Sequence, residues 1–389
     1  MHDPSAAEST EPAQQAAAGR GDGPPALSLR WGLLVLFRTA AGGLLVLVSL
    51  LAGYLLLAPS PIEPLAYQPP AAPALVGVWQ PNERLRDVEW LAVGQVDGPE
   101  DVAVDSEGRV YGGSVDGRIV RVLPDGRVET FAETGGRPLG LAFAPNGDLI
   151  VADGVRGLLA VDRGGQVRLL TDSADGVRFG FTDDVDVARD GRCYFSDASS
   201  RFGPDDYMLD MLEGRPYGRL LRYDPRTNET EVLLEGLYFA NGVALSPDED
   251  FVLVNETYRY SITRYWLTGP SARTREMFCE NLPGFPDGVS CDGQGRFWVA
   301  LFTTRNPVAE WLAPRPEWKA IMAKLPRALW PQPAPYGLVV ALDTNGRPLE
   351  SLHDPGGTRY SPITSVEEHD GTLYLGSLTA DRIGRYPLP

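Results

Sequence analysis

The stretch Ala240-Asn241-Gly242-Val243-Ala244-Leu245-Ser246-Pro247-Asp248 decides the fold, because related stretches recur along the chain. Each copy opens on polar, glycine or proline residues, continues as a short apolar run, and leads through a turn into a second apolar run. The other copies are 98–105, 137–143, 182–187, 285–290 and, more weakly, 363–368. Six copies predict an array of β-sheet blades whose opening residues meet at one central point.

The turns inside the copies are rich in Asp-Gly and Asn-Gly, which tolerate the positive φ of tight hairpins. The first turn glycines, Gly108, Gly147 and Gly191, lie 39 and 44 residues apart, which fits one four-stranded blade per repeat. We therefore predict an all-β fold, a six-bladed β-propeller over residues 84–389. The last repeat is one strand short, and a strand at 88–93 is expected to complete its sheet.

The interval between the last two turn glycines is longer, at 76 residues, and indicates an insertion at 303–336. Its apolar spacing predicts two short amphipathic helices, and 205–213 is similar. Three roles stay open for these insertions. They form a lid over one face, pack against the rim, or contact a bilayer, since Trp311, Trp318 and Trp330 suit a membrane interface.

The residues before the propeller divide into three segments. Residues 1–30 are polar and Ala/Gly-rich, which predicts a disordered cytoplasmic tail. Residues 31–58 include about 20 uncharged, mostly apolar residues, the length of a membrane-spanning helix. Residues 59–83 are rich in Pro and Ala and are predicted to form a stiff stalk.

The apolar segment favours a non-cleaved signal anchor, because a cleaved signal peptide has a shorter apolar stretch and a small-residue cleavage site. Arg30 and Arg38 lie on the N-terminal side of its uncharged stretch, residues 39–58. They predict a single-pass membrane protein with a cytoplasmic N-terminus and a periplasmic or other exocytoplasmic propeller.

Composition excludes several functions. The formal net charge of −17 argues against nucleic acid as a partner. Three cysteines without CxxC spacing argue against zinc. Only three histidines and no G-x-S-x-G motif argue against a Ser-His-Asp hydrolase. No organic cofactor is expected.

Four repeats place an oxygen-bearing side chain where the innermost strand of a blade begins: Glu100, Asp183, Asn241 and Asp287. Carboxylate and amide oxygens suit Ca²⁺ or Mg²⁺ rather than Zn²⁺. Like charges converging in one channel are costly unless a cation or proton compensates them. We therefore predict one divalent ion at the hub, Ca²⁺ in the first place, with Mg²⁺ or Mn²⁺ as alternatives.

The stretches 194–201, 213–224, 240–248 and 282–287 carry a family resemblance. They resemble the strictosidine synthase-like branch of the superfamily that includes SMP-30 gluconolactonases, paraoxonases and adipocyte plasma membrane-associated protein. The resemblance covers 84–389. It implies a six-bladed propeller with a central divalent ion, usually Ca²⁺, and ester or lactone hydrolysis in many members.

Matched motif by motif, the resemblance assigns the metal to the same four residues: Glu100, Asp183, Asn241 and Asp287. The chain has Asp183-Asp184 where relatives usually have Asn-Asp, and Gly288 where many have Asn. These departures keep four oxygen ligands but make the set more acidic.

Two other departures concern the reaction. Plant strictosidine synthases use a glutamate near the start of the last blade for a condensation, and Thr364 stands near that position. Threonine cannot serve as a carboxylate acid or base, so a condensing enzyme is the less favoured reading. The histidine pair of paraoxonases is also missing from the second blade, which reads Arg137-Pro138-Leu139.

The predicted function is metal-assisted hydrolysis of a lactone or (aryl)ester by a membrane-anchored protein. Asp183 or Asp287 is the candidate general base, and Asp184 is expected to orient Asn241 or a water. The expected partner is a small hydrophobic ester or lactone, because an apolar entrance is predicted from Met208, Met211, Phe302, Trp311 and Trp330. The alternative is a non-catalytic propeller scaffold with a structural metal, whose helical insertions bind a protein or lipid.

Overall fold

The structure is a computed structural model that describes residues 26–389, with side chains from residue 31. The chain divides into two compact units, and the boundary lies between Pro59 and Ser60. The first contains the helix α1 (Ala26–Leu57). Its segment Trp31–Leu57, of mean hydropathy 2.3, is long and apolar enough to cross a membrane. Residues 1–25 of the predicted tail lie outside the described residues, and residues 26–30 are helical.

The second unit is a ring of six four-stranded antiparallel sheets, which confirms the predicted six-bladed β-propeller. The chain enters it through strand β1 (Glu89–Leu91). Blade one contains β2 (Val102–Val104), β3 (Val110–Gly113), β4 (Arg118–Val122) and β5 (Val128–Glu133). Blade two contains β6 (Pro138–Phe143), β7 (Leu149–Asp153), β8 (Gly157–Val161) and β9 (Val167–Thr171). A hairpin of β10 (Ser173–Ala174) and β11 (Val177–Arg178) follows.

Blades three and five contain the helices α2 to α4, and blade four lies between them. Blade three contains β12 (Thr182–Val187), β13 (Cys193–Asp197), α2 (Tyr207–Glu213), β14 (Gly218–Asp224) and β15 (Glu229–Leu237). Blade four contains β16 (Ala240–Leu245), β17 (Phe251–Glu256), β18 (Ser261–Trp266) and β19 (Arg275–Cys279). Blade five contains β20 (Gly284–Cys291), β21 (Phe297–Thr304), α3 (Pro307–Leu312), α4 (Pro316–Met322), β22 (Tyr336–Leu342) and β23 (Pro348–Pro355).

Blade six joins the two ends of the propeller. It contains β24 (Ser365–His369), β25 (Thr372–Gly376) and β26 (Ile383–Pro387), and β1 is its fourth strand. In that pairing Trp90 lies opposite Gly384. The predicted completion of the last sheet by the early strand is therefore confirmed. Short 3₁₀ helices lie at Gly77–Trp79, Arg84–Asp87, Pro204–Asp206, Thr257–Arg259 and Arg327–Leu329.

Neighbouring blades pack face to face through apolar side chains. Along β21, Phe297 and Val299 enter the core shared with blade four, while Trp298 and Ala300 enter the core shared with blade six. Successive side chains of a strand point to opposite faces, so one fully apolar strand supplies both cores. This accounts for strands in which nearly every residue is buried.

The predicted helical insertions are present. Asn306 caps α3, since its Oδ1 accepts hydrogen bonds from the main-chain nitrogens of Val308 and Ala309 at 2.9 and 3.1 Å. Pro307 at the first helical position fits this start because its missing N–H would be unpaired there. Helix α4 lies against both α2 and α3, so the three helices form one layer.

Residues 60–71, which we call the strap, lie inside the segment interpreted as a stalk. The main-chain nitrogens of Leu65 and Tyr67 donate to the carbonyls at the ends of α2 and α3, at 2.8 and 2.9 Å. Ile62 is 3% exposed and packs against Phe202. From Ser60 onward the chain is therefore bound to the propeller and its helices rather than extended as a free spacer.

Candidate functional site

The inner strands of blades two to five are interrupted by a β-bulge at the repeated motif. A bulge leaves its extra residues out of the ladder and redirects their side chains. The first bulged residue of each blade is Leu139, Asp183, Asn241 or Asp287. Three of the four predicted ligands thus occupy the same irregular position in consecutive blades.

Asp183, Asn241 and Asp287 line one cavity of about 390 Å³ at the hub, together with Glu100, which precedes β2. All four side chains are buried, with 4–7% exposure. The structure therefore brings the four sequence-predicted ligands together.

The second bulged residue explains the glycines of the motif. A Cβ at Gly242 would collide with the carbonyl oxygen of Asp287, and one at Gly288 with the carbonyl oxygen of Thr364. Inner strands of neighbouring blades approach each other so closely here that only glycine fits. The Asn-Gly and Asp-Gly pairs therefore combine a polar side chain at the cavity with room for the next blade.

In blades one and three the corresponding residue is an aspartate. Asp101 Oδ2 accepts a hydrogen bond from the Leu141 nitrogen at 2.8 Å, and Asp184 Oδ2 accepts one from the Val243 nitrogen at 2.7 Å. Asp184, expected to orient Asn241 or a water, thus holds the strand that carries Asn241 through its main chain.

A second acidic cavity, of about 260 Å³, is lined by residues of the same inner strands. Asp101, Asp184, Asp186 and Glu367 contribute carboxylates to it, and Glu100 lines both cavities. Burial raises the pKa values of Asp101 and Asp186 to about 6. Asp186 and Glu367 lie outside the repeated opening position, so the sequence motif did not single them out.

The buried hub carboxyls repel one another. Burial, followed by the charges of Asp183 and Asp287, raises the pKa of Glu100 well above its usual range. Burial and Asp287 do the same to the pKa of Asp183. Burial raises the pKa of Asp287 to about 7, although Asn241 Nδ2 donates a 2.5 Å hydrogen bond to its Oδ1. Both a proton and a cation would relieve this repulsion.

Two further groups define the electrostatics of the hub. Asp183 Oδ2 is buried and has no hydrogen-bond partner within residues 26–389. Arg137, 9% exposed, lines the same cavity and donates from Nη2 to the Gly98 carbonyl at 2.7 Å. Burial lowers the pKa of Arg137, while the charge of Glu100 acts in the opposite sense. From the sequence, Arg137 was notable only because it stands in the blade where paraoxonases carry their histidine pair.

The donor chemistry of the hub fits a hard divalent cation, since it comprises three carboxylates, one amide and an unpaired carboxylate oxygen. In the structure, however, its three carboxylates lie further apart than the ligands of a bound ion. Among the residues that the structure describes, no three His, Cys, Asp or Glu side chains are gathered closely enough to form a metal cluster.

An apolar cavity of about 110 Å³ shares the walls Tyr207, Met211 and Phe302 with the hub cavity. Helices α2, α3 and α4 and the strap residue Tyr67 supply further walls. Of the five residues expected at an apolar entrance, Met208, Met211, Phe302 and Trp330 line this cavity. Trp311 does not line it and is 46% exposed, so its assignment to the entrance is wrong.

Thr364 lies at the hub as its place in the last blade predicted. It lines the cavity, is 1% exposed, and donates from Oγ1 to the Glu100 carbonyl at 2.6 Å. The side chain thus joins blades six and one and offers no carboxylate to the cavity.

These features define a class of protein, the six-bladed β-propellers whose bulged inner strands present acidic side chains to a central cavity. Within that class the chain belongs to the strictosidine synthase-like family. The family described as Strictosidine synthase matches residues 183–270, and the one described as Strictosidine synthase-like, N-terminal matches residues 77–122.

Similar proteins span nearly the same length. Adipocyte plasma membrane-associated protein of Rattus norvegicus is 39% identical over 372 residues, which cover 89% of this chain and 98% of the rat protein. Protein STRICTOSIDINE SYNTHASE-LIKE 4 of Arabidopsis thaliana is 38% identical over 346 residues, which cover 84% of this chain and 88% of the plant protein.

Solved structures share the fold at low identity. A gluconolactonase from Xanthomonas campestris superposes with a TM-score of 0.58 at 20% identity, covering 85% of this chain and 97% of its own. Regucalcin from Agrobacterium tumefaciens, described as a calcium-binding protein, gives a TM-score of 0.53 at 14% identity, covering 77% of this chain and 91% of its own.

Proposed function

We propose that this protein is a membrane-anchored, Ca²⁺-dependent hydrolase that acts on hydrophobic lactones or (aryl)esters. The observation that carries the proposal is the placement of four oxygen-bearing side chains in one buried cavity that shares walls with an apolar one. A reacting ester group and its apolar substituent would each find a suitable environment.

Glu100, Asp183, Asn241 and Asp287 would hold the ion. Rotation of the Asn241 amide would present its oxygen to the ion, and the three carboxylates would supply the other ligands. The unpartnered Asp183 Oδ2 supports this, because a buried carboxylate oxygen without a donor is costly unless a cation approaches it. When bound, the ion would polarise a substrate carbonyl and stabilise its developing negative charge.

Side chains of the protein itself would accept the proton of the attacking water and stabilise the negative charge that develops on the substrate. Asp183 and Asp287 are the candidate general bases, since their carboxylates line the cavity in which an attacking water would lie. Arg137 places a fixed positive charge at the same cavity and would assist an oxyanion.

Membrane anchoring is supported by α1 and by the similarity to adipocyte plasma membrane-associated protein. We propose the orientation given by Arg30 and Arg38, with the N-terminus cytoplasmic and the propeller periplasmic or otherwise exocytoplasmic.

A second candidate function is a binding scaffold with a structural metal. The exposure of Trp311 and Trp318 on the helical insertions, at 46% and 48%, favours it. A condensing enzyme of the strictosidine synthase type is less favoured, because Thr364 stands where those enzymes use a glutamate.

The test is hydrolysis of a panel of aryl esters and lactones by the unit 60–389, with Ca²⁺ and with chelator. Asp287→Ala and Asn241→Ala are compared with Asp248→Ala and Asn146→Ala, which change exposed turn residues. Activity that needs Ca²⁺ and is lost only in the hub variants would support the hydrolase. No turnover, alongside a rise in melting temperature with Ca²⁺, would support the scaffold.

A further inference from the structure

We propose that the outer surface of α3, α4 and the chain that follows them docks on a lipid bilayer carrying anionic headgroups. The surface, called the helical patch, is formed by Val308, Trp311, Trp318 and Leu329. The proposal concerns the surface of the propeller unit and does not depend on catalysis at the hub.

One side of each helix faces inward and the other faces solvent. Ala309 and Leu312 of α3 and Lys319 of α4 face inward and line the apolar cavity. The patch residues face solvent, with exposures of 50% for Val308, 46% for Trp311, 48% for Trp318 and 63% for Leu329. The rings of Trp311 and Trp318 lie with centroids 5.7 Å apart. Val308 lies one helical turn before Trp311, whose ring contacts that of Trp318, so these exposed side chains adjoin one another and indicate an interaction surface rather than scattered exposure.

Charge selects the partner. Residues 303–336 contain five basic and two acidic residues, whereas the whole chain carries −17. Lys319 is buried and Arg305 is paired with Glu310, so the other basic residues, which are partly or fully exposed, are Arg315, Lys324 and Arg327. These three lie between the residues of the helical patch in sequence. A basic surface that exposes tryptophans matches the headgroup region of an anionic bilayer, where indole rings and basic side chains are favoured.

Connectivity points the same way. Only Ala58 and Pro59 separate the membrane-spanning candidate α1 from the strap. The strap is itself bound to the helical layer, since Lys319 Nζ donates to the Leu65 carbonyl at 2.8 Å and Ile62 packs with Ala323. The helical patch therefore belongs to a unit whose chain continues directly into a segment that can cross a membrane.

The test uses the unit 60–389, which has its own hydrophobic cores and lacks α1, so that binding cannot come from the membrane-spanning segment. Flotation with vesicles of phosphatidylcholine alone is compared with flotation with vesicles that also contain phosphatidylglycerol. The variants are the double Trp311→Ser/Trp318→Ser and Arg315→Gln. The controls are Trp90→Ser, which changes a 38% exposed tryptophan on blade six, and Arg226→Gln in the turn between β14 and β15 of blade three.

We expect binding to the anionic vesicles, weaker binding to the neutral ones, and a loss of at least about tenfold in the double tryptophan variant. Arg315→Gln should weaken binding about fivefold, the effect of one basic residue near an anionic surface. Both control variants should bind as the unsubstituted unit does. The proposal is overturned if the unit floats with neither vesicle, or if the double variant, shown to be folded by its melting curve, binds unchanged.

Discussion

Asn241 and Asp287 are joined across blades four and five by a 2.5 Å hydrogen bond from Nδ2 to Oδ1. Both residues occupy the first position of a β-bulge, so two local irregularities place them face to face. This amide is the only uncharged member of the four predicted ligands. It therefore limits how much negative charge the hub holds before a cation arrives.

Asn241→Asp should make folding depend more strongly on Ca²⁺. A fourth buried carboxyl adds repulsion, and we expect the metal-free melting temperature to fall on the order of 5 °C. Added Ca²⁺ should restore most of the loss. Calorimetry with and without chelator measures both effects. Asn146→Asp, in an exposed turn, should change neither value. Equal Ca²⁺ shifts in both variants would contradict a cation at the hub.

Stability without metal should fall as pH rises from about 4 to 7. Burial raises the pKa of Asp287 from 3.8 to about 7 and those of Asp101 and Asp186 to about 6. Below about 4 these carboxyls are protonated in both states and impose no pH dependence. Above it the unfolded chain releases protons that the folded protein retains, so unfolding becomes easier.

The rise in melting temperature on adding Ca²⁺ should therefore grow with pH over the same range. Thermal scans at several pH values, each with Ca²⁺ or chelator, isolate this difference from titrating groups elsewhere. A Ca²⁺ effect that stays constant from pH 5 to pH 8 would show that these carboxyls are not linked to the metal.

Gly242→Ala should destabilise the propeller by about 3 kcal/mol, the upper range for forcing an extra methyl group into a packed site. The added Cβ would collide with main-chain atoms of Asp287 and Val289 in the next blade. Urea unfolding of the unit 60–389 gives the free energy. Gly203→Ala is the matched control, because its Cβ would meet nothing closer than 3.6 Å. Similar free energies for the two variants would refute the close approach of the inner strands.

Met211→Trp should change substrate preference. Its side chain lies where the hub and apolar cavities share walls, so a larger ring should exclude long acyl groups. We expect kcat/KM for aryl esters to fall about tenfold or more with long chains and little with acetates. Met277→Trp, at a 51% exposed position, is the control. An equal loss for all chain lengths would argue that the apolar cavity does not receive the substrate.

A unit beginning at Ala72 should be less stable than one beginning at Ser60. Loss of the strap exposes the site of Ile62, worth about 1.5–3 kcal/mol, and removes a partner of the buried Lys319 ammonium. We expect a melting temperature on the order of 10 °C lower. Lys319→Met should destabilise the longer unit but rescue part of the loss in the shorter one. Equal melting temperatures for the two units would show that the strap adds no stability.

The sequence was sufficient to predict the propeller because its information is periodic. The repeated motif, the turn glycines and the missing strand of the last repeat together predicted six blades and their closure. The same register brought Glu100, Asp183, Asn241 and Asp287 to one cavity, since equivalent positions of a ring share a centre.

Features that do not repeat along the sequence were harder to predict. The Pro/Ala-rich strap has no pattern that reveals its partners, because it is held by main-chain hydrogen bonds to α2 and α3. The sequence placed Arg137 in blade two but did not show that its side chain lines the hub cavity. Trp311 faces solvent because of the way in which α3 packs. The helical spacing of the sequence alone does not determine which side of α3 faces outward.

The pairing of Glu89 with Arg385 also sets an order of events during synthesis. Five blades can form as the chain leaves the ribosome, because each is built from consecutive strands. Strand β1 has no partner until β26 emerges, nearly 300 residues later. The nascent protein is therefore an open ring whose first edge stays unpaired until β26 has been synthesised.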